Sequence, residues 1–223
     1  MARALELKRY CSLNANLICK TGLKVGGTEA GMSIGGAENP VIKDSRGIPY
    51  IPGSSVKGKL RSLLEYKYKK VSQEPRHEGE PCGCGRPDCP VCFMFGPHRN
   101  TRHDLGPTRI IVRDAYLSEK SQKDWETARK EGAEFTETKT ETMIDRRTGT
   151  AAGTGSLRTQ ERVPAGTEFV LNINLRIFDD DNVDAMKKLV EEALSYLQQD
   201  TLGGSGTRGY GWVEVKDLKW TDS

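Results

Sequence analysis

In EFVLNINLRIF (168–178) every second residue from Phe169 to Ile177 is apolar. Phe169, Leu171, Ile173, Leu175 and Ile177 fall on one face, the period of a strand with one side in a core. After DDDN (179–182) the period changes to that of a helix. Val183, Met186, Leu189, Val190, Ala193, Leu194 and Leu197 form one stripe, with acids at the end where the helix dipole favours them. GGSGTRGYG (203–211) then leads into a second strand, WVEVKDLKW (212–220). Working outward from this strand–helix–strand unit, the same order appears earlier in the chain. LELKRYCSLNANLIC (5–19) reads as a strand of broken alternation. Val56, Leu60, Leu63 and Leu64 mark a helix that Ser54 or Ser55 can cap. TRIIVRDAY (108–116) reads as a strand.

Two β-α-β units in succession predict an α+β fold. The expectation is a ferredoxin-like (RRM-like) βαββαβ palm, an antiparallel sheet with two helices on one face. One domain over 1–223 is expected, with two long insertions. Residues 72–107 are polar and rich in Pro and Gly, a lid built around a cysteine cluster. Residues 117–166 are polar and rich in Thr and Gly, and the part from Phe135 to Val163 is expected to be a protruding hairpin with a glycine tip. Fold by itself assigns no function.

Composition narrows the class. The chain has 223 residues, 35% of them hydrophobic, and a net charge of +3. Its apolar runs are far shorter than the ~18 residues of a membrane span, and its start lacks the apolar core of a signal peptide. A cytoplasmic protein without a membrane partner is the expectation.

Four of the six cysteines, Cys82, Cys84, Cys89 and Cys92, lie in CGCGRPDCPVC with the spacing C-x-C-x4-C-x2-C. Four thiolates so close suit one tetrahedral zinc ion, with Gly83, Gly85 and Pro87 bending the chain round it. Filled coordination makes such an ion structural. Two local disulfides are the alternative, and one of the flanking histidines, His77, His98 or His103, could stand in for a cysteine.

Two stretches carry the binding chemistry. Lys57, Lys59 and Arg61 sit in the first two turns of the first helix, where cations oppose the dipole. Helix N-termini already attract anions, so a phosphate site is expected there rather than a solvated basic face. GGSGTRGYG runs from helix into strand, the reverse of the Walker and dinucleotide loops. Its glycines admit a close backbone, Arg208 can reach phosphate and Tyr210 can stack on a base. No G-x-S-x-G is present, and the three histidines lie in the cysteine insertion, so histidine-dependent cleavage is disfavoured.

TGLKVGG (21–27), ENPVIKD (38–44), IPYIPGSSVKGKLRSLLE (48–65) and LGGSGTRGYGWVEV (202–215) together resemble the backbone subunits of type III-A CRISPR interference complexes, the Csm complexes. These belong to the Cas-seven group of the RAMP superfamily. IDR (144–146) followed by QERVPAGTEF (160–169) resembles that family's thumb. The resemblance implies copies stacked head-to-tail along a guide crRNA beside other type III subunits, with a thumb that splays a nucleotide of the guide–target duplex. Matched by motif, Lys24, Ser54, Ser55, Lys57, Lys59, Arg61, Gly204, Arg208 and Tyr210 are the guide contacts, and Met143 and Ile144 the thumb wedge. The family's loop Asp, which carries metal-dependent cleavage of target RNA, corresponds to Glu38 here, one methylene longer. The resemblance thus implies an endoribonuclease using Mg²⁺ or another divalent ion. A purely structural guide-binding subunit, or a stand-alone zinc-stabilised RNA-binding domain, are the alternatives.

Overall fold

The computed structural model describes residues 5–26, 40–73, 77–153, 156–179 and 181–222. The long strands form where alternation is strongest: β1 (Leu7–Cys19), β6 (Glu168–Phe178) and β7 (Val213–Asp222). They pair antiparallel, with β1 between β6 and β7. The expected strand at 108–116 is split into β2 (Ile110–Val112) and β3 (Tyr116–Leu117), both paired antiparallel to β6. At the break, Ala115 exchanges two backbone hydrogen bonds with Ile51, and Asp114 Oδ1 accepts from Gly53 N at 2.7 Å. The sheet order is β2-β6-β1-β7.

Helices α1 (Gly53–Lys67) and α4 (Val183–Gln199) pack on each other and on the sheet. Val56, Leu60 and Leu64 of α1, Val190, Leu194 and Leu197 of α4, and Leu13, Leu17, Leu171, Ile173 and Leu175 of the strands join one buried cluster. Asn182 caps α4 by accepting from Ala185 N. The expected Ser54 or Ser55 cap of α1 is not formed. The capping position is Pro52, and the carboxylate of Asp114 takes the Gly53 N–H instead.

Within 72–107, α2 (Pro90–Phe95) sinks Val91, Cys92 and Met94 into the same core. Arg109 is the polar pin beneath it. Its guanidinium is buried against Asp181, donates to the Leu105 and Pro107 carbonyls, and lies over the Phe93 and Phe178 rings.

The 117–166 segment holds an element that the sequence pattern did not announce, α3 (Glu119–Lys130). Ser121 is its only buried residue, so no apolar stripe betrays it. Polar bonds hold it: Ser118 caps it, and Ser121 Oγ accepts from Glu168 N at 2.9 Å. Strands β4 (Glu137–Thr142) and β5 (Leu157–Arg162) then form an antiparallel hairpin inside the expected 135–163 arm. Among the described residues no helix is long and apolar enough to cross a membrane.

Candidate nucleic-acid interface and metal centre

The glycine loop meets residues 21–26 in space. Lys24 O accepts from Gly204 N at 2.8 Å, and Gly22 O accepts from Gly211 N at 2.9 Å. The glycine loop therefore lies directly on residues 21–26. Gly203, with φ +79°, is required there because any Cβ would collide with Lys24 O. At the start of α1, Lys59 Nζ lies 3.1 Å from Asp200 Oδ1, just before the loop. Residues 21–26, the first turns of α1 and 203–211 thus share one side of the molecule.

The first turn of α1 has no acid. Lys57 is half-buried and makes no hydrogen bond or ion pair among the described residues. Burial lowers its pKa, and the Arg61 and Arg176 guanidiniums lower it further. A buried cation without a counter-ion is costly, and an arriving phosphate relieves it. Ser54 and Gly204 are exposed, Ser55 half-buried, and Arg208 more than half exposed, held only by Ser205 Oγ and by Glu141 at 3.4 Å.

Two expected guide contacts are corrected. Arg61 faces the lid: Nε donates to the buried Glu65 at 2.8 Å, and an Nη donates to the Cys82 carbonyl at 2.8 Å. Glu65 also accepts from Cys82 N at 2.8 Å, so this pair fastens the lid to α1. Tyr210 is fully buried and cannot offer its ring to a base. Lys139 of β4 and Arg162 of β5 lie 4.7 and 5.2 Å from its ring centroid. Burial, with the Glu141 carboxylate close by, pushes its hydroxyl pKa up. Tyr210 is the bearing between glycine loop and hairpin, and Lys24 Nζ adds a hydrogen bond to Gln160 of β5.

At the far end of the hairpin Met143 and Ile144 are 58% and 42% exposed. Leu157, opposite Thr142, is 66% exposed and joins them, a third apolar side chain that the sequence reading missed. Its partner register shows only once the hairpin closes.

Glu38 lies outside the described residues. The chain on either side of 27–39 is tied together: Gly26 bridges Val41, and Ile42 N donates to Val25 O at 3.0 Å. Glu161 of β5 clasps the returning strand. Its buried carboxylate accepts from Val41 N at 2.8 Å, from Lys43 Nζ and from Thr136 Oγ1. Burial raises the Glu161 pKa, but those donors outweigh it and hold the carboxyl below its ordinary value. No sequence motif announced this clasp.

The four lid cysteines converge as expected. Their sulfurs all lie within 4.8 Å of one another. Sγ pairs Cys82–Cys92 and Cys84–Cys92 are 3.6 Å apart, and Cys82–Cys89 is 3.9 Å. Tetrahedral Zn–S bonds of ~2.3 Å require about 3.8 Å between sulfurs. Burial pushes the Cys82 thiol up to about 11 and raises Cys92 as well, so thiolates there need a bound cation. The donor set can hold a metal such as zinc. The histidines stay apart: His77 and His98 face Glu80, and His103 Nδ1 accepts from Leu105 N.

Comparison with known proteins matches this picture. The family model described as RAMP superfamily matches residues 16–214. A protein of Methanocaldococcus jannaschii named CRISPR system Cms endoribonuclease Csm3 is 40% identical, covering 96% of this chain and 82% of its own. Its namesake from Streptococcus thermophilus is 36% identical, over 93% of this chain and 88% of that one. Among solved structures, a Csm3–Csm4 subcomplex of the type III-A CRISPR-Cas interference complex is similar with a TM-score of 0.61 and 29% identity, covering 98% of this chain and 82% of the other. The resemblance seen in the paired motifs PGSSVKGKLR and GGSGTRGYG is borne out: the chain belongs to the RAMP superfamily.

Proposed function

We propose that this chain is a guide-crRNA-binding backbone subunit of a type III CRISPR interference complex, and that it cleaves complementary target RNA. The observation that carries the reading is the meeting of 21–26 with 203–211, together with the α1 start, which Lys59 ties to Asp200 just before that loop. Such a side grips sugar-phosphate without reading base edges. The names and lengths of the relatives support the activity and the assembly.

On this reading the five-stranded antiparallel sheet with α1 and α4 is a ferredoxin-like palm. Residues 72–107 are a zinc-stabilised lid and 117–166 the thumb region, all within one domain. Lys24, Ser54, Ser55, Lys57, Lys59, Gly204 and Arg208 hold the guide backbone. Copies of the chain stack head-to-tail along the guide, the kind of heterologous contact that builds filaments, beside other subunits of the complex. Met143 and Ile144 at the hairpin end enter the guide–target duplex and splay a nucleotide. The freed 2′-OH then lines up with the adjacent phosphorus. The O2′–P bond forms as the P–O5′ bond breaks, leaving a cyclic phosphate and a 5′-hydroxyl. The Glu38 carboxylate positions the 2′-OH or would hold a divalent ion such as Mg²⁺, which would supply neutralising charge at the reacting phosphate. Misplacing such geometry by about 1 Å costs on the order of 10²-fold.

The test is the assembled complex with complementary RNA and Mg²⁺. Wild type is expected to cut at regular intervals and Glu38→Ala to leave the target intact while still binding it. Unchanged cuts in Glu38→Ala would remove Glu38 from the mechanism. Faster cuts in Glu38→Asp would show that arm length limits the rate.

A further inference from the structure

We propose that the cavity between the turn after Lys43, α3 and the root of the hairpin receives one unstacked nucleobase of the target RNA. The inference rests on the target-binding reading above. The cavity measures about 240 Å³. That is smaller than the ~300–1,000 Å³ of pockets for drug-sized ligands, and it suits a single planar ring system.

Its walls are of the right chemistry. Trp125 of α3 and Phe135 at the hairpin root, both partly buried, supply aromatic surface. The Arg129 guanidinium sits 5.3 Å from the Trp125 ring centroid and has no acid partner among the described residues. Lys43 and Arg46 line the cavity but are engaged, by Glu161 and Asp44 respectively. Glu134 contributes a carboxylate that can accept from an exocyclic amine or ring N–H. Proteins hold a base outside its stack in this way, on aromatic and guanidinium planes with polar groups at its edges. A phosphate alone would need free cations and no indole. An apolar peptide would not match a wall with three basic side chains.

The placement is as informative as the lining. One wall is the chain at 43–49, soon after Glu38 in sequence, and the other leads directly into β4. Glu161 joins the two through Val41 N, Lys43 and Thr136. A nucleotide unstacked beside the hairpin root therefore has a seat joined to the same clasp as the chain that follows Glu38. Holding the base fixes the sugar, and the sugar carries the 2′-OH that must stand in line.

The experiment uses the assembled complex and complementary RNAs in which 2-aminopurine replaces one nucleotide at a time. In wild type, periodic positions are expected to show quenched emission, because the probe stacks in the cavity. In Trp125→Ala the emission at those positions alone should rise, and cutting beside them should slow on the order of tenfold, the scale of one lost base–aromatic stack. Trp125→Phe should retain both. Arg129→Gln, a change at the rim, should weaken the quench with an unaltered melting temperature, which separates cavity loss from misfolding of α3. Unchanged emission and wild-type cutting in Trp125→Ala would overturn the cavity assignment. A wild-type complex that neither binds nor cuts complementary RNA would instead overturn the reading on which it rests.

Discussion

Lys57 and Arg61 lie one helical turn apart, carry the same charge and have opposite roles. Lys57 has lost water and gained no acid partner among the described residues, a cost that a bound phosphate would relieve. Lys57→Met is expected to raise the melting temperature by roughly 1–3 °C, the shift that a few tenths of a kcal/mol to one kcal/mol gives at this size. The same change should weaken RNA binding, read by filter binding of a single-stranded guide. Arg61 is spent on Glu65 and the Cys82 carbonyl. Arg61→Ala leaves a buried carboxylate without its cation and should destabilise by about 2–4 kcal/mol in denaturant titration. Tyr210→Ala should likewise cost about 3–5 kcal/mol with no RNA present, since the ring is packed in protein and not held out for a base.

The 72–107 segment buries Val91, Cys92 and Met94 and is also held by Arg61 and Glu65, whereas the hairpin root is clasped by the polar groups at Glu161. For the lid, one zinc per chain is the expected result of metal analysis. A strong chelator should lower the melting temperature, and a Cys84→Ser, Cys89→Ser double variant that kept full zinc would refute the ligand set. For the hairpin, the clasp at Glu161 has a pH signature. Its folded pKa is depressed, so its stabilisation is fully present above the ordinary glutamate value of about 4.3 and is lost as pH falls below it. The melting difference between wild type and Glu161→Gln should be constant from pH 7 to about 5 and shrink on further acidification. A difference that grew in acid would contradict the clasp.

At the scale of the whole molecule, guide binding is a matter of phosphates neutralised on one side. Affinity should fall linearly on a log–log plot against salt, with a slope of about −0.7 per contacted phosphate for a single strand. Lys57→Ala should reduce that slope by roughly one contact, whatever the guide's base sequence. A variant with an unchanged slope would place the guide elsewhere.

Periodicity alone announced β6, α4 and β7, because a residue's alternation between core and water is local information that survives in one dimension. The cysteine spacing announced the ligand cluster for the same reason: four thiols within eleven residues have few ways to avoid one another. Helix α3 was invisible because its partners, Ser121 and Glu168, are polar and far apart in the chain. Neither could the sequence distinguish Lys57 from Arg61, nor show that Tyr210 faces inward. Those outcomes depend on which distant groups arrive within hydrogen-bonding range: Glu65 with Cys82 at Arg61, the hairpin cations at Tyr210, and, among the described residues, no acid at Lys57. Burial and pairing are properties of three-dimensional neighbours, and only the tertiary structure decides them.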